Sequence, residues 1–306
     1  MDGILLLDKP AGASSHRVLN HVRRWAGTRK VGHTGTLDPL ATGLLPALIG
    51  RATRLAPFLP SEPKEYVAEV LFGVSTDTAD ADGRVMAETH PGARPPATWD
   101  AILAALVGTI RLPVPQYAAV KVAGRPLYRY ARAGQEVELP VRPMTIFALA
   151  ADASMWPTVS LCLSTNRGTY VRAIAVAMGE AAGCGAHVAS LRRTRIADWS
   201  VDSAVSPERL LDEAGVPGAF IELDRALSLP ILTVSGRQAD YVTVGRTPEE
   251  IQACSASALD AGERFQFVDE FGRLLAVARS REAWTGRTMP PRFDFERVVR
   301  ERACAS

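Results

Sequence analysis

The order in which strand-like and helix-like stretches follow one another most limits what this chain can fold into. Short apolar or alternating runs at residues 3–7, 66–72 and 159–163 read as strands, while residues 99–108 and the alanine-rich stretch 173–182 carry helical patterning. A further helix is expected after residue 14, because Ser14 or Ser15 can cap it, Val18, Leu19, Val22 and Trp25 recur at helical spacing, and Gly27 stands where a helix ends. These elements do not alternate as a regular strand–helix–strand repeat. An α+β core is therefore expected in place of a doubly wound parallel sheet.

Between the first helix and the apolar stretch 44–49 lies a glycine-punctuated loop, residues 32–43, containing His33, Thr34, Thr36 and Asp38 followed by Pro39. It has more backbone freedom than a plain connection needs. An Asp before Pro is by itself a turn former. A carboxylate among small residues, with donors in the same loop, is also a nucleophile that needs no metal. The residues alone do not decide between the two readings.

Charge is segregated along the chain. The net charge is only +2, yet residues 1–60 hold eight Lys and Arg against three acids, residues 111–145 six against two, and residues 160–198 five against two. Such a distribution suits a groove for a polyanion. Residues 117–132 interleave Tyr117, Tyr128 and Tyr130 with Lys121, Arg125 and Arg129, types that stack on bases and hold phosphates. The four cysteines have no paired spacing, nothing resembles a signal peptide, and no run is long enough to span a bilayer. A cytoplasmic protein is expected.

Several ordered blocks resemble the TruB family of tRNA pseudouridine synthases: residues 3–10 with Gly12 and Ser14-Ser15, the loop 32–43, Lys64-Glu65-Tyr66, Thr76-Asp77-Thr78 with residues 80–83, residues 168–172, and residues 183–188 with Leu191-Arg192-Arg193. The resemblance covers residues 3 to about 200. It implies the pseudouridine synthase fold, with a mixed, largely antiparallel central sheet and flanking helices. It also implies isomerisation of uridine 55 in the tRNA T-arm without metal or cofactor.

By that resemblance Asp38 is the nucleophile, attacking uracil C6 or ribose C1′. Tyr66 stacks on the target base, and Arg172 pairs with Asp38 and favours its ionised form. Tyr170 and Leu191 shape the base pocket, His33 contacts displaced RNA, and Lys9 joins the substrate-binding set. One departure is Asn166-Arg167, where the family commonly shows Ser-Lys or Ser-Ser; it keeps or adds a basic group near the phosphate path. Residues 1–228 are expected as the catalytic domain, 229–290 as a small β-rich domain resembling PUA domains, and 291–306 as a loosely held tail. A non-catalytic RNA-binding or RNA-folding protein on the same scaffold, and a synthase acting on another RNA, are the alternatives. A monomer is expected.

Overall fold

The first strand, β1 (Gly3–Lys9), is apolar along most of its length because both its faces are covered. Ile4 and Leu6 pack with Leu44, Leu48, Leu274, Val277 and Val299, whereas Leu5 and Leu7 join the main core with Leu45, Ala47 and Ile49. A strand buried on two faces loses the alternation that marks a half-exposed one. The structure is a computed structural model that describes residues 1–211, 216, 218–247, 258–285 and 292–299.

Helix α1 (Ser15–Trp25) begins where the Ser14 hydroxyl accepts the Arg17 N–H and turns Val18, Leu19 and Val22 inward; Gly27 closes it at a φ of 62°. Two strands follow, β2 (Val31–His33) and β3 (Thr42–Ile49), with the Asp38 loop between them. In β4 (Lys64–Phe72), Tyr66, Ala68, Val70 and Phe72 are buried and alternate with exposed Val67 and Glu69, as period-two patterning demands.

A small hairpin, β5 (Val74–Thr76) with β6 (Val85–Glu88), comes next. Asp82 and Gly83 lie in its connection, which is longer than a tight turn. It is held by the Asp77 carboxylate, which accepts the Arg84 N–H at 2.8 Å. The chain continues through α2 (Trp99–Leu106), β7 (Gly108–Pro113), the short β8 (Lys121–Val122) and β9 (Arg125–Pro126), and α3 (Leu127–Arg132). After these come β10 (Val141–Asp152), β11 (Thr158–Thr165), α4 (Val171–Ala181), β12 (Ala186–Ile196), β13 (Trp199–Ser200) and β14 (Phe220–Glu222).

These strands build one ten-stranded sheet in the order β14-β1-β3-β12-β4-β11-β10-β7, with β2 on β3 and β13 on β12. Its described ladders are antiparallel except β12 against β3, which run parallel where Arg192 faces Thr42 and Arg193 faces Gly43. The expected mixed, largely antiparallel sheet is present.

A second sheet joins β15 (Ile231–Val234), β16 (Arg264–Asp269), β17 (Leu274–Ser280) and β18 (Phe293–Val298), with helix α5 (Gly236–Thr243) beside it. The expectation of a loose tail after residue 291 is corrected here. Phe293 is buried against Phe265 and Phe267, and Glu296 accepts hydrogen bonds from Arg264 and Arg279 at 2.7 and 2.8 Å. Residues 291 and 300–306 lie outside the described residues. Among the described residues no helix is long and apolar enough to cross a membrane.

Gly43 marks the tightest backbone approach at the parallel junction. It has a φ of 98°, and a Cβ there would lie 2.2 Å from the Arg193 carbonyl oxygen. Gly43→Ala is expected to destabilise the fold by about 1–3 kcal/mol, read as a lower denaturation midpoint.

Candidate active site

The loop carrying Asp38 is pinned on both sides of the carboxylate. The buried Ser15 hydroxyl accepts the Leu37 N–H and donates to the Leu37 carbonyl, both at 2.9 Å, and the Leu37 side chain enters the core. Beyond Asp38, the Pro39 carbonyl accepts the Gly12 N–H at 2.9 Å and the Lys9 ammonium at 3.1 Å. Lys9 also donates to the carbonyls of Pro10 and Ala13, at 2.8 and 2.6 Å.

Lys9 is fully buried and is not among the residues lining the cavity beside Asp38. In place of the expected substrate contact, its ammonium ties the turn after β1 to the Asp38 loop. Burial pulls its pKa down to about 8, opposed by the nearby Asp38 and Asp82 charges. Burial also lowers the pKa of His33, helped by the Arg193 and His16 charges. Its ring sits at the end of β2, outside the cavity lining, with Nδ1 buried and without a hydrogen-bond partner.

The other expected residues converge. Asp38, Tyr66, Tyr170, Arg172 and Leu191 line one cavity of about 250 Å³ together with Lys64, Tyr117 and Arg193. Arg172 sits in the first turn of α4, whose small residues let the helix lie close against the sheet. Its guanidinium reaches Asp38 at 2.8 Å and donates to the carbonyls of Thr78 at 2.7 Å and Tyr117 at 3.0 Å. Asp80, buried in the β5–β6 connection, lies 3.7 Å from Arg172 Nε. The Thr78 hydroxyl and the Asp82 N–H hold the Asp80 carboxylate in place.

Burial raises the Asp38 pKa and Asp80 raises it further, while the Arg172 charge and hydrogen bond pull it down. About a third of the Asp38 side chain stays exposed, so a carboxylate with one ionic partner faces the cavity. Tyr66 is buried, and its phenol interacts electrostatically with the buried Arg193 guanidinium. Tyr170, which caps α4, has its phenol pKa raised by burial.

Three residues of the site had only a place in a sequence block: Asp80, Lys64 and Arg193. A signal for two of them exists, because Lys64 lies two residues before Tyr66 on β4 and Arg193 two after Leu191 on β12. Each therefore shares a strand face with a pocket residue. The basic aromatic segment rims the cavity through Tyr117, Ala118 and Ala119. Its arginines stack on its own tyrosines, Arg125 over Tyr130 at 4.5 Å and Arg132 over Tyr128 at 5.6 Å. Among the described residues no group of three or more His, Cys, Asp and Glu gathers as metal ligands.

Known proteins resemble this chain over most of its length. Residues 23–171 match the TruB family pseudouridylate synthase N-terminal domain, and residues 172–227 match the tRNA pseudouridylate synthase B C-terminal domain. A tRNA pseudouridine synthase B of Ralstonia pickettii (strain 12J) is 47% identical over 308 residues, which covers 97% of this chain and 94% of the relative. One of Geobacter sulfurreducens is 38% identical over 290 residues, 92% of this chain and 94% of the relative. Among solved structures, an H/ACA RNP bound to a substrate RNA containing 2′-deoxyuridine shares the fold, with a TM-score of 0.69 at 21% identity over 97% of this chain and 84% of that one. A Cbf5-Nop10-Gar1 complex does so with a TM-score of 0.67 at 22% identity over 98% and 85%.

Removing the Arg172 guanidinium would leave the Asp38 and Asp80 carboxylates facing each other and two carbonyls without donors. Arg172→Ala is expected to cost about 3 kcal/mol of stability, measured as a clear drop in melting temperature.

Proposed function

Since the chain belongs to the TruB family of pseudouridylate synthases, an isomerase family, we propose that it converts uridine 55 of the tRNA T-arm to pseudouridine with Asp38 as nucleophile. The observation that carries this reading is the Asp38 carboxylate, held at 2.8 Å by Arg172 on the wall of a cavity that Tyr66 also lines. Attack requires the ionised carboxylate, and the guanidinium favours that form even as burial opposes it.

The target atoms are stacked inside the T-loop, so the uridine must leave the stack before attack, at a cost of a few kcal/mol that protein contacts offset. One Asp38 oxygen then bonds to uracil C6 or ribose C1′, and the bond between C1′ and N1 breaks. The detached base turns, C5 bonds to C1′, and the C5 proton leaves, with the Tyr66 hydroxyl as a candidate carrier. Release from Asp38 restores the carboxylate.

Tyr170 and Leu191 wall the base, and the basic segments at residues 1–60, 111–145 and 160–198 take the phosphates, so binding weakens with salt. His33 contacts the displaced RNA from the loop margin. The same reading makes the protein a cytoplasmic monomer, with residues 1–228 as the catalytic unit. The four-stranded sheet that follows is a PUA-like RNA-binding unit and reaches residue 298.

Asp38→Asn is expected to abolish tritium release from a T-arm stem-loop labelled at uridine C5 while RNA affinity changes less than about threefold. Wild-type turnover by that variant would remove Asp38 from the chemistry. Binding without release by the wild-type protein would mark a non-catalytic RNA-binding protein, and neither binding nor release would point to another RNA. The pH dependence follows from the raised Asp38 pKa: the active ionised form is lost as pH falls through a value above the ordinary 3.8. The single-turnover rate should therefore decline on the acid side at a higher pH than a free carboxylate would give.

A further inference from the structure

The cavity beside Asp38 holds a second charged feature that the reaction as described leaves unused. Lys64 is 8% exposed, lines the cavity, and makes no hydrogen bond or ion pair within the described residues. Its stem stands between Thr165 and Ile196, both buried, on the neighbouring strands. Burial, together with the charges of Arg193 and Arg167, holds its ammonium pKa down at about 8, with Glu62 opposing. The Glu62 carboxylate is already engaged, accepting the Arg167 N–H at 2.9 Å.

Arg193, 1% exposed, is likewise surrounded by neutral oxygens. It donates to the carbonyls of Leu44 and Gly35 at 2.8 and 3.1 Å. The space before the two cations is open because residue 35 is glycine: a Cβ there would lie 3.3 Å from Lys64 Nζ and 3.6 Å from Arg193 Nη1. Two positive charges are thus buried together with no carboxylate in ion-pair contact among the described residues, an arrangement that is costly unless a ligand supplies the negative charge.

We propose that Lys64, backed by Arg193, forms an anion subsite that takes a phosphodiester flanking the extruded uridine. This rests on the reading that Asp38 faces a flipped nucleotide. Uracil itself is neutral, so the backbone is the part of that nucleotide that brings charge. Lys64 and Tyr66 are successive residues on one face of β4, roughly 7 Å apart. A ring contact for the base and an ammonium for the phosphate therefore follow one another along the strand, with the ribose between them.

The test uses T-arm stem-loops carrying a single uncharged methylphosphonate immediately 5′ or immediately 3′ of the target uridine. Affinity is measured by fluorescence anisotropy with the full chain in an Asp38→Asn background, so that no chemistry intervenes. The protein with Lys64 intact is expected to bind one of the two modified RNAs about tenfold more weakly than the native stem-loop. Adding Lys64→Met should cause the same loss on native RNA and no further loss on that modified RNA, with a salt slope shallower by about 1. Lys64→Arg should keep most of the affinity.

Equal binding of all three RNAs by the protein with Lys64 intact would overturn the proposal without relying on any Lys64 variant. A Lys64→Met loss that persists undiminished on both neutral-linkage RNAs would overturn it too, placing the ammonium against the base. Failure of the pseudouridylation reading shows separately, as absence of tritium release by wild-type protein, and does not alter this binding cycle.

Discussion

One guanidinium joins the pieces on which the rest of the site depends. Arg172 bonds to the Asp38 loop, to the Thr78 carbonyl beside Asp80, and to the Tyr117 carbonyl in the segment that rims the cavity. These segments are far apart in the chain and reach α4 from three directions. A planar cation with several donors can satisfy them together, whereas a lysine ammonium would have to forgo the fixed fork. The same contacts that organise the walls also pull the Asp38 pKa down against the burial that raises it, so shape and electrostatics come from one side chain.

The loop opposite that guanidinium is held by the sheet. β1 and β3 are clamped on both faces, and the segments leaving them are tied together by Ser15 and by the three carbonyls around the Lys9 ammonium. Asp38 therefore sits on a short span between fixed points, even though its loop is rich in glycine and threonine. That is the condition the proposed nucleophile needs, since misplacement by an ångström costs orders of magnitude in rate.

Much of this was legible in the sequence. The alternation in β4 and the serine cap of α1 declared themselves because each obeys one local rule. By contrast β12, the strand at the centre of the sheet, carries Arg192, Arg193 and Arg195 and reads as surface. It is central because Arg193 finds carbonyls inside the protein, partners that no local pattern reveals. β10 was hidden by Pro143 and its alanines, and β18 by its charged residues, whose partners lie on β16 and β17. For the site, resemblance supplied Asp38, Tyr66 and Arg172. Lys9 was assigned to substrate, because a motif lysine looks the same whether its ammonium faces a ligand or a ring of carbonyls.

The two-sided burial of β1 also bears on how the protein is made. β1 is made well before its partner strand Phe220–Glu222, and before Leu274, Val277 and Val299, which share a core cluster with Ile4 and Leu6. Until they arrive, an apolar strand edge and face remain uncovered, the kind of surface that invites misassembly and chaperone binding. The scaffold under the Asp38 loop is thus completed only once residue 299 has been made, so products truncated before it should lack a properly supported site.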